Sequence, residues 1–243
     1  NQSMLGSEFE EIVKLRRSNR SFDPEVEVPD EVIKRSLERA ILSPNSSNMQ
    51  LWSFFWIRSE EEKKRFQPLC LDQYAAKSAK HLVVFVTRRD LWRERAKWNA
   101  DQIKRQVVGE PHKYQKRMIQ YYEKLLPIAY GYDFLGIYSF LRKSISFFMS
   151  ITKPFVRMGG SAKQRIIVQK SCALAAQTFM LSIAAEGYHT CPMEGFDEVR
   201  VRKALNLPRI AEINMVIAVG KGTEKGIWGE RNRVPFDEVV FVK

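Results

Sequence analysis

Two short apolar runs constrain this chain more than anything else in it. His81-Leu82-Val83-Val84-Phe85-Val86-Thr87 is valine-rich and free of Asp, Glu, Lys and Arg. Ile213-Asn214-Met215-Val216-Ile217-Ala218-Val219-Gly220 matches it near the other end of the chain. Runs this short and this apolar read as central strands covered on both faces. A helix through Ile166, Val168, Cys172, Leu174, Ala176, Phe179, Met180, Ile183 and Ala184 is apolar on most sides and belongs in the core. Ser161 and Gln164 form a capping-box pattern at its start, and Gly187 is placed to end it.

The remaining segments arrange themselves around these three. Ser7 can cap a first helix over residues 8–15, with Phe9, Ile12 and Val13 on one face. A second helix starts at Asp30, runs through Leu42 and is stopped by Pro44. Trp52 to Ile57 reads as a buried strand, and Ser59-Glu60-Glu61-Glu62 as a capping box for a helix through Phe66. Residues 69–80 read as a loop and a short helical turn containing Gln73. Residues 90–126 are helical, polar and basic, with a break at Gly109-Glu110-Pro111. Residues 125–158 turn apolar and aromatic. Asp133, Arg142, Lys143, Lys153 and Arg157 interrupt them before any run reaches the roughly 20 residues that span a bilayer. That stretch reads as buried packing and a lid, with contact to a membrane surface as the lesser reading. Gly159-Gly160 is a hinge-like break. Asp197 can cap a short helix that Pro208 closes off, and Phe236 to Val242 alternates in the manner of an edge strand. No internal repeat and no linker is evident, so residues 1–243 read as one domain.

Charge and cysteine usage narrow the function classes. The formal net charge is +12, which implies an anionic partner, though the excess is spread along the chain as on a solvated basic surface. Aromatic and basic residues do not combine into a nucleic-acid module. Cys70, Cys172 and Cys191 make an odd count without C-x-x-C spacing, and His81, His112 and His189 are scattered. That argues against a disulfide framework and against a metal site, and it favours a reducing, cytoplasmic compartment. The N-terminal residues lack the charged-then-apolar pattern of a signal sequence.

Four clusters carry chemistry, and each has a bland reading beside the functional one. Arg16-Arg17-Ser18-Asn19-Arg20-Ser21-Phe22 supplies guanidinium forks and hydroxyls suited to a phosphate, or a basic last turn that complements a helix dipole. Pro44-Asn45-Ser46-Ser47-Asn48-Met49-Gln50 presents amides and hydroxyls to a polar ligand, or satisfies its own backbone. Pro192-Met193-Glu194-Gly195-Phe196-Asp197 is a rigid Pro/Gly turn, or a place where a flat ligand lies against bare amides. Arg231 and Arg233 add two further cations near the C-terminus.

Taken together and in this order, the four clusters resemble the motifs of the nitroreductase family, the FMN-dependent NAD(P)H oxidoreductases. The likeness spans roughly residues 8–98 and 161–243. Leu51 stands where the pattern usually has proline, and Asn45 where it has serine; the larger departure is the middle, about residues 99–160, a long helical insert more apolar than in the compact members, where the family has helices over the active site. The resemblance implies an α+β fold, a mixed and largely antiparallel sheet flanked by helices, assembled as an intertwined homodimer. It implies that Arg16, Arg17, Ser18 and Arg20 hold the phosphate and ribityl chain of FMN, with Arg231 and Arg233 on the opposite side. Pro44, Asn45, Ser46 and Asn48 would reach the flavin from the partner subunit, and Gln73 would contact its ribityl or pyrimidine end. Pro192, Met193, Glu194 and Gly195 would line the isoalloxazine, with the Glu194 amide near N5. No side chain is implied as catalytic, because the flavin carries the chemistry between NAD(P)H and a nitroaromatic, quinone or similar acceptor. The C-terminal segment would add a strand to the partner. Two other classes compete: a protein that binds or stores FMN with little turnover, and a basic protein of membrane surfaces or nucleic acid.

Overall fold

The computed structural model describes residues 3–131, 144, 151 and 161–243. The Gly159-Gly160 break and most of the stretch read as a lid lie outside the described residues.

The two apolar runs are the middle of the sheet. β1 (Trp52–Ile57), β2 (His81–Thr87), β3 (His189–Met193) and β4 (Glu212–Gly220) form one sheet in the order β1-β2-β4-β3, antiparallel throughout. Every residue of β2 is buried. The strand period divides it between two cores. Leu82, Val84 and Val86 point into one, with Phe66, Val201, Val216 and Ala218. Val83 and Phe85 point into the other, with Phe179, Ile183, Ile217 and Val219. Burying a phenylalanine of this kind stabilises the fold by about 2–3 kcal/mol.

Helices cover both faces. α1 (Met4–Leu15) and α2 (Asp30–Ala40) precede the sheet. Ser3 caps α1 by accepting from the Gly6 amide, so the helix begins a turn earlier than Ser7 suggested. α3 (Glu60–Phe66) is capped by Ser59, and α4 (Tyr74–Ser78) follows Gln73. After β2 come α5 (Trp92–Arg105), α6 (Lys113–Gln120), a π turn at Tyr121–Leu125 and α7 (Leu126–Tyr130), with the break where Gly109 takes φ +77°. A third apolar cluster under these helices joins Ala96, Ala100, Tyr122 and Leu126 to Met49, Leu51 and Val168.

α8 (Ser161–Ala185) is the core helix. Among the described residues it alone is long and apolar enough to cross a bilayer, and half of its apolar window is buried in the fold. It ends at Gly187 (φ +82°), whose amide donates to Ala184 O. The expected capping box at its start is not formed. Ser161 is itself helical and its hydroxyl accepts from Arg89, while the Gln164 amide donates to Ala129 O. α9 (Glu198–Ala204) is capped by Asp197, which accepts from the Arg200 amide.

Three further expectations change. Trp52–Ile57 is an edge strand with half-exposed middle residues, because among the described residues β2 alone pairs with it. The supposed Pro/Gly corner begins as a strand, since His189 to Met193 pairs with β4. The C-terminal alternation does not form a strand here. Phe236–Val239 is a helical turn (α10) after Pro235, followed by exposed Phe241 and Val242.

Candidate functional site

β3 is a sheet edge, and the Arg16–Phe22 segment lies along it. Ser18 pairs with Thr190 in an isolated parallel bridge, the one parallel pairing among the described residues. The Asn19 amide donates to Thr190 O at 2.9 Å. Thr190 and Pro192 lie two apart, so their peptide groups face the same side of the strand. The missing N–H of Pro192 therefore falls on the open edge, where a strand tolerates proline.

The same segment is sewn to the loop after β4. Arg20 N donates to Gly226 O, Asp23 N to Lys221 O and Thr223 N to Ser21 O. Asn19, 1% exposed, is the pin: its amide donates to Thr223 O and its carbonyl oxygen accepts from Ser21 N. Gly226 must lack a side chain here, because a Cβ would sit 1.7 Å from Asn19 Oδ1.

This stitching gathers cations. Burial, then the guanidiniums of Arg231, Arg233 and Arg17, hold the pKa of Arg16 below the ordinary arginine value. None of Arg16, Arg17, Arg20, Arg231 or Arg233 pairs with a carboxylate among the described residues. Arg17 instead donates to Gly229 O, and Arg231 donates to the carbonyls of Val13, Lys14 and Arg16. Arg231 thus closes the C-terminal end of α1, where orphan carbonyls favour a cation. It both caps the helix and belongs to the cluster. Arg20 lies over the Trp228 ring, 4.3 Å from its centroid.

Arg20 and Gln73 line one cleft of about 590 Å³ with Tyr74, Lys225 and Trp228. Gln73 Nε2 donates to Cys70 O and, at 2.6 Å, to Gly195 O, which ties the cleft wall to the turn after β3. The Gln73 side-chain oxygen, Oε1, accepts nothing among the described residues. A Cβ at Gly195 would come 3.2 Å from Gln73 Nε2, so the turn and this amide already touch. Met193 is buried, while Glu194 and Gly195 are exposed. The backbone amides of Glu194 and Gly195, both residues exposed, donate to nothing among the described residues.

The other loop lies elsewhere on the chain. Pro44, Asn45 and Ser46 line a shallow depression of about 280 Å³ against Ile167, Lys170 and Ser171 of α8. Asn45 Oδ1 accepts from Gln50 N at 2.7 Å, and Ser46 N donates to Ser171 Oγ. Asn48 exchanges side-chain and backbone hydrogen bonds with Asn99 of α5. Within one chain these residues do not meet the Arg20 cleft.

Among the described residues, the cysteines near these groups are not activated nucleophiles. Burial pushes the Cys70 thiol up to about 11 and Cys172 up to about 12, and raises Cys191 despite the nearby charge of Arg20. Sequence reasoning passed over Asn19, Trp228, Tyr121 and Tyr122. Asn19 sits inside the arginine motif but looked like a bystander, and the two tyrosines belong to a stretch read only as helical.

The model of the nitroreductase family matches residues 13–221. The protein DrgA of Synechocystis is 27% identical over 221 residues, covering 90% of this chain and 87% of that protein. An NADH dehydrogenase of Thermus thermophilus is 28% identical over 229 residues, 93% of this chain and 91% of its own. A structure from Exiguobacterium sibiricum, solved in complex with FMN, superposes with a TM-score of 0.67 at 23% identity, covering 97% of both chains.

Proposed function

The chain belongs to the nitroreductase family, and from that premise we propose that it is an FMN-dependent NAD(P)H oxidoreductase acting on nitroaromatic, quinone or similar acceptors. One observation carries the reading: Arg16, Arg17, Arg231 and Arg233 crowd together with no carboxylate counterion among the described residues. Cations held close in a partly buried place repel one another and call for an anion. A dianionic phosphate accepting charge-assisted hydrogen bonds meets that need.

The donor set fits FMN. The guanidiniums take its phosphate, with Ser18 and Arg20 toward the ribityl chain. Gln73 offers an amide to the ribityl or pyrimidine end. Pro192, Met193, Glu194 and Gly195 form the backbone rail beside the ring, and the free Glu194 amide is the donor for N5. Held there, FMN would supply two-electron redox chemistry between NAD(P)H and the acceptor. The chain's own part is to fix the ring by these amides and to set positive charge beside it. Fixed donors cost no reorganisation when charge develops. The Glu194 carboxylate is exposed and has no place in this scheme.

We propose one domain over 1–243, with 99–160 as its insert, and a homodimer. Pro44, Asn45, Ser46 and Asn48 stand away from the cleft of their own chain, so a second copy is what brings them to the cofactor. Leu5, Phe9 and Val13 of α1 and Phe241 and Val242 at the C-terminus are exposed apolar side chains that such an interface would cover.

Turnover is the test. FMN-loaded protein should oxidise NADH or NADPH far faster when a quinone or a nitroaromatic is supplied. Retained flavin without acceptor-dependent oxidation would mark a flavin carrier and refute the reductase reading.

A further inference from the structure

We infer that Tyr121 and Tyr122 are positioning residues, whose two hydroxyls clamp the Pro44–Asn48 loop in the conformation that FMN requires. The inference deepens the proposed function and rests on the reading of that loop as cofactor-facing.

The loop backbone is strained. Ser47, Asn48 and Gln50 take φ of 54°, 49° and 50°, in the left-handed region that favours glycine. Asparagine tolerates it, but serine and glutamine gain nothing there. Such conformations persist only where surrounding contacts over-determine them, and they gather at functional sites. Inside the loop, Asn45 Oδ1 holds Gln50 N, and Gln50 Nε2 returns to Asn48 O. These bonds close the loop but leave Ser47 at its tip unheld.

The insert supplies what is missing. Tyr121 Oη and Ser47 Oγ are 2.6 Å apart, and Tyr122 Oη donates to Ser47 O at 2.8 Å. Consecutive residues of an α-helix point about 100° apart. Here two neighbours reach one serine, and they open the π turn Tyr121–Leu125. Single π turns within helices often mark functional sites. Asn99 of α5 holds the adjacent Asn48 O at 2.8 Å. The helical insert therefore grips the loop at two of its three left-handed residues, Ser47 and Asn48, beside Ser46 and Asn48 that face the cofactor. Tyr122 is 5% exposed and packs with Met49 and Leu51, so removing only its hydroxyl keeps the ring contacts.

The test is FMN titration of the full-length protein bearing Tyr121→Phe and Tyr122→Phe, read by flavin fluorescence and by visible circular dichroism of the bound flavin. Ser36→Ala serves as control, because it removes a buried hydroxyl bond between α2 and Ser182 that does not touch the loop. The double variant should bind FMN about tenfold more weakly, the scale of two hydrogen bonds lost, with an altered dichroism band. The control should match wild type in both. Wild-type affinity in the double variant overturns the clamp alone, and equal weakening in the control reduces it to general softening. Wild-type protein that takes up no FMN overturns the cofactor reading and the clamp with it.

Discussion

Asn19 is the residue whose loss the structure prices most clearly. Asn19→Ala removes the bond to Thr223 O and the bond from Ser21 N. Thr223 O keeps a second donor, Gly226 N, but Ser21 N is left in a partly buried place with no partner. An orphaned buried donor costs about 1–3 kcal/mol and a lost hydrogen bond about 1 kcal/mol. The expected destabilisation is about 3 kcal/mol, which lowers Tm by roughly 6–12 °C for a domain this size. Urea unfolding of the apoprotein, followed by far-UV circular dichroism, measures it. A double-mutant cycle with Gly226→Ala sharpens the result. In wild type the new Cβ meets Asn19 Oδ1 at 1.7 Å, whereas in the Asn19→Ala background its nearest remaining neighbour is Ser21 N at 2.7 Å. The two substitutions should therefore cost less together than separately. Additivity within about 0.5 kcal/mol would refute the contact, and an unshifted Tm for Asn19→Ala would refute the pin.

Two more outcomes follow from the same geometry. His81 is buried neutral, with Nδ1 accepting from the Trp56 indole and Nε2 on Val28 O; burial holds its pKa below 6.5, Lys63 adds to this, and Val28 O, Asp30 and Glu27 oppose it. Its contribution is complete above that value and is lost as pH falls below it, because the unfolded chain then takes the proton first; His189 is depressed as well, by burial and Lys221, so the check is whether His81→Gln flattens the stability change between pH 7.5 and 5. Glu194→Gln should change NAD(P)H oxidation by no more than about threefold, whereas a loss of the 10²–10⁴-fold typical of an acid–base group would make the carboxylate catalytic after all.

The strands β2 and β4 were legible because each holds a short apolar run, Leu82 to Val86 and Met215 to Val219, free of Asp, Glu, Lys and Arg. The caps at Ser59 and Asp197 and the stop at Gly187 were legible because each is a local bond or a local angle. β3 was not. His-Thr-Cys-Pro-Met carries neither alternation nor a β-branched run, and its proline speaks against a strand unless the open edge is known. At the C-terminus the alternation competes with a local signal, since Pro235 opens a helical turn over Phe236–Val239 within one chain. Arg231 shows a further limit. A guanidinium near an anion site and one capping a helix share a sequence signal, and only the three carbonyls it reaches reveal that it caps α1. Tyr121 and Tyr122 gave no signal, because their role depends on a loop more than 70 residues earlier in the chain.

The central claim is that the arginine cluster is a phosphate site, and comparison of FMN with riboflavin tests it most directly. The two differ only in the phosphate. Two charge-assisted hydrogen bonds at about 1.5–3 kcal/mol each make FMN bind at least about a hundredfold tighter. Arg16→Gln with Arg233→Gln should remove most of that advantage and leave riboflavin affinity unchanged. Equal affinity of the wild-type protein for FMN and riboflavin would contradict the account.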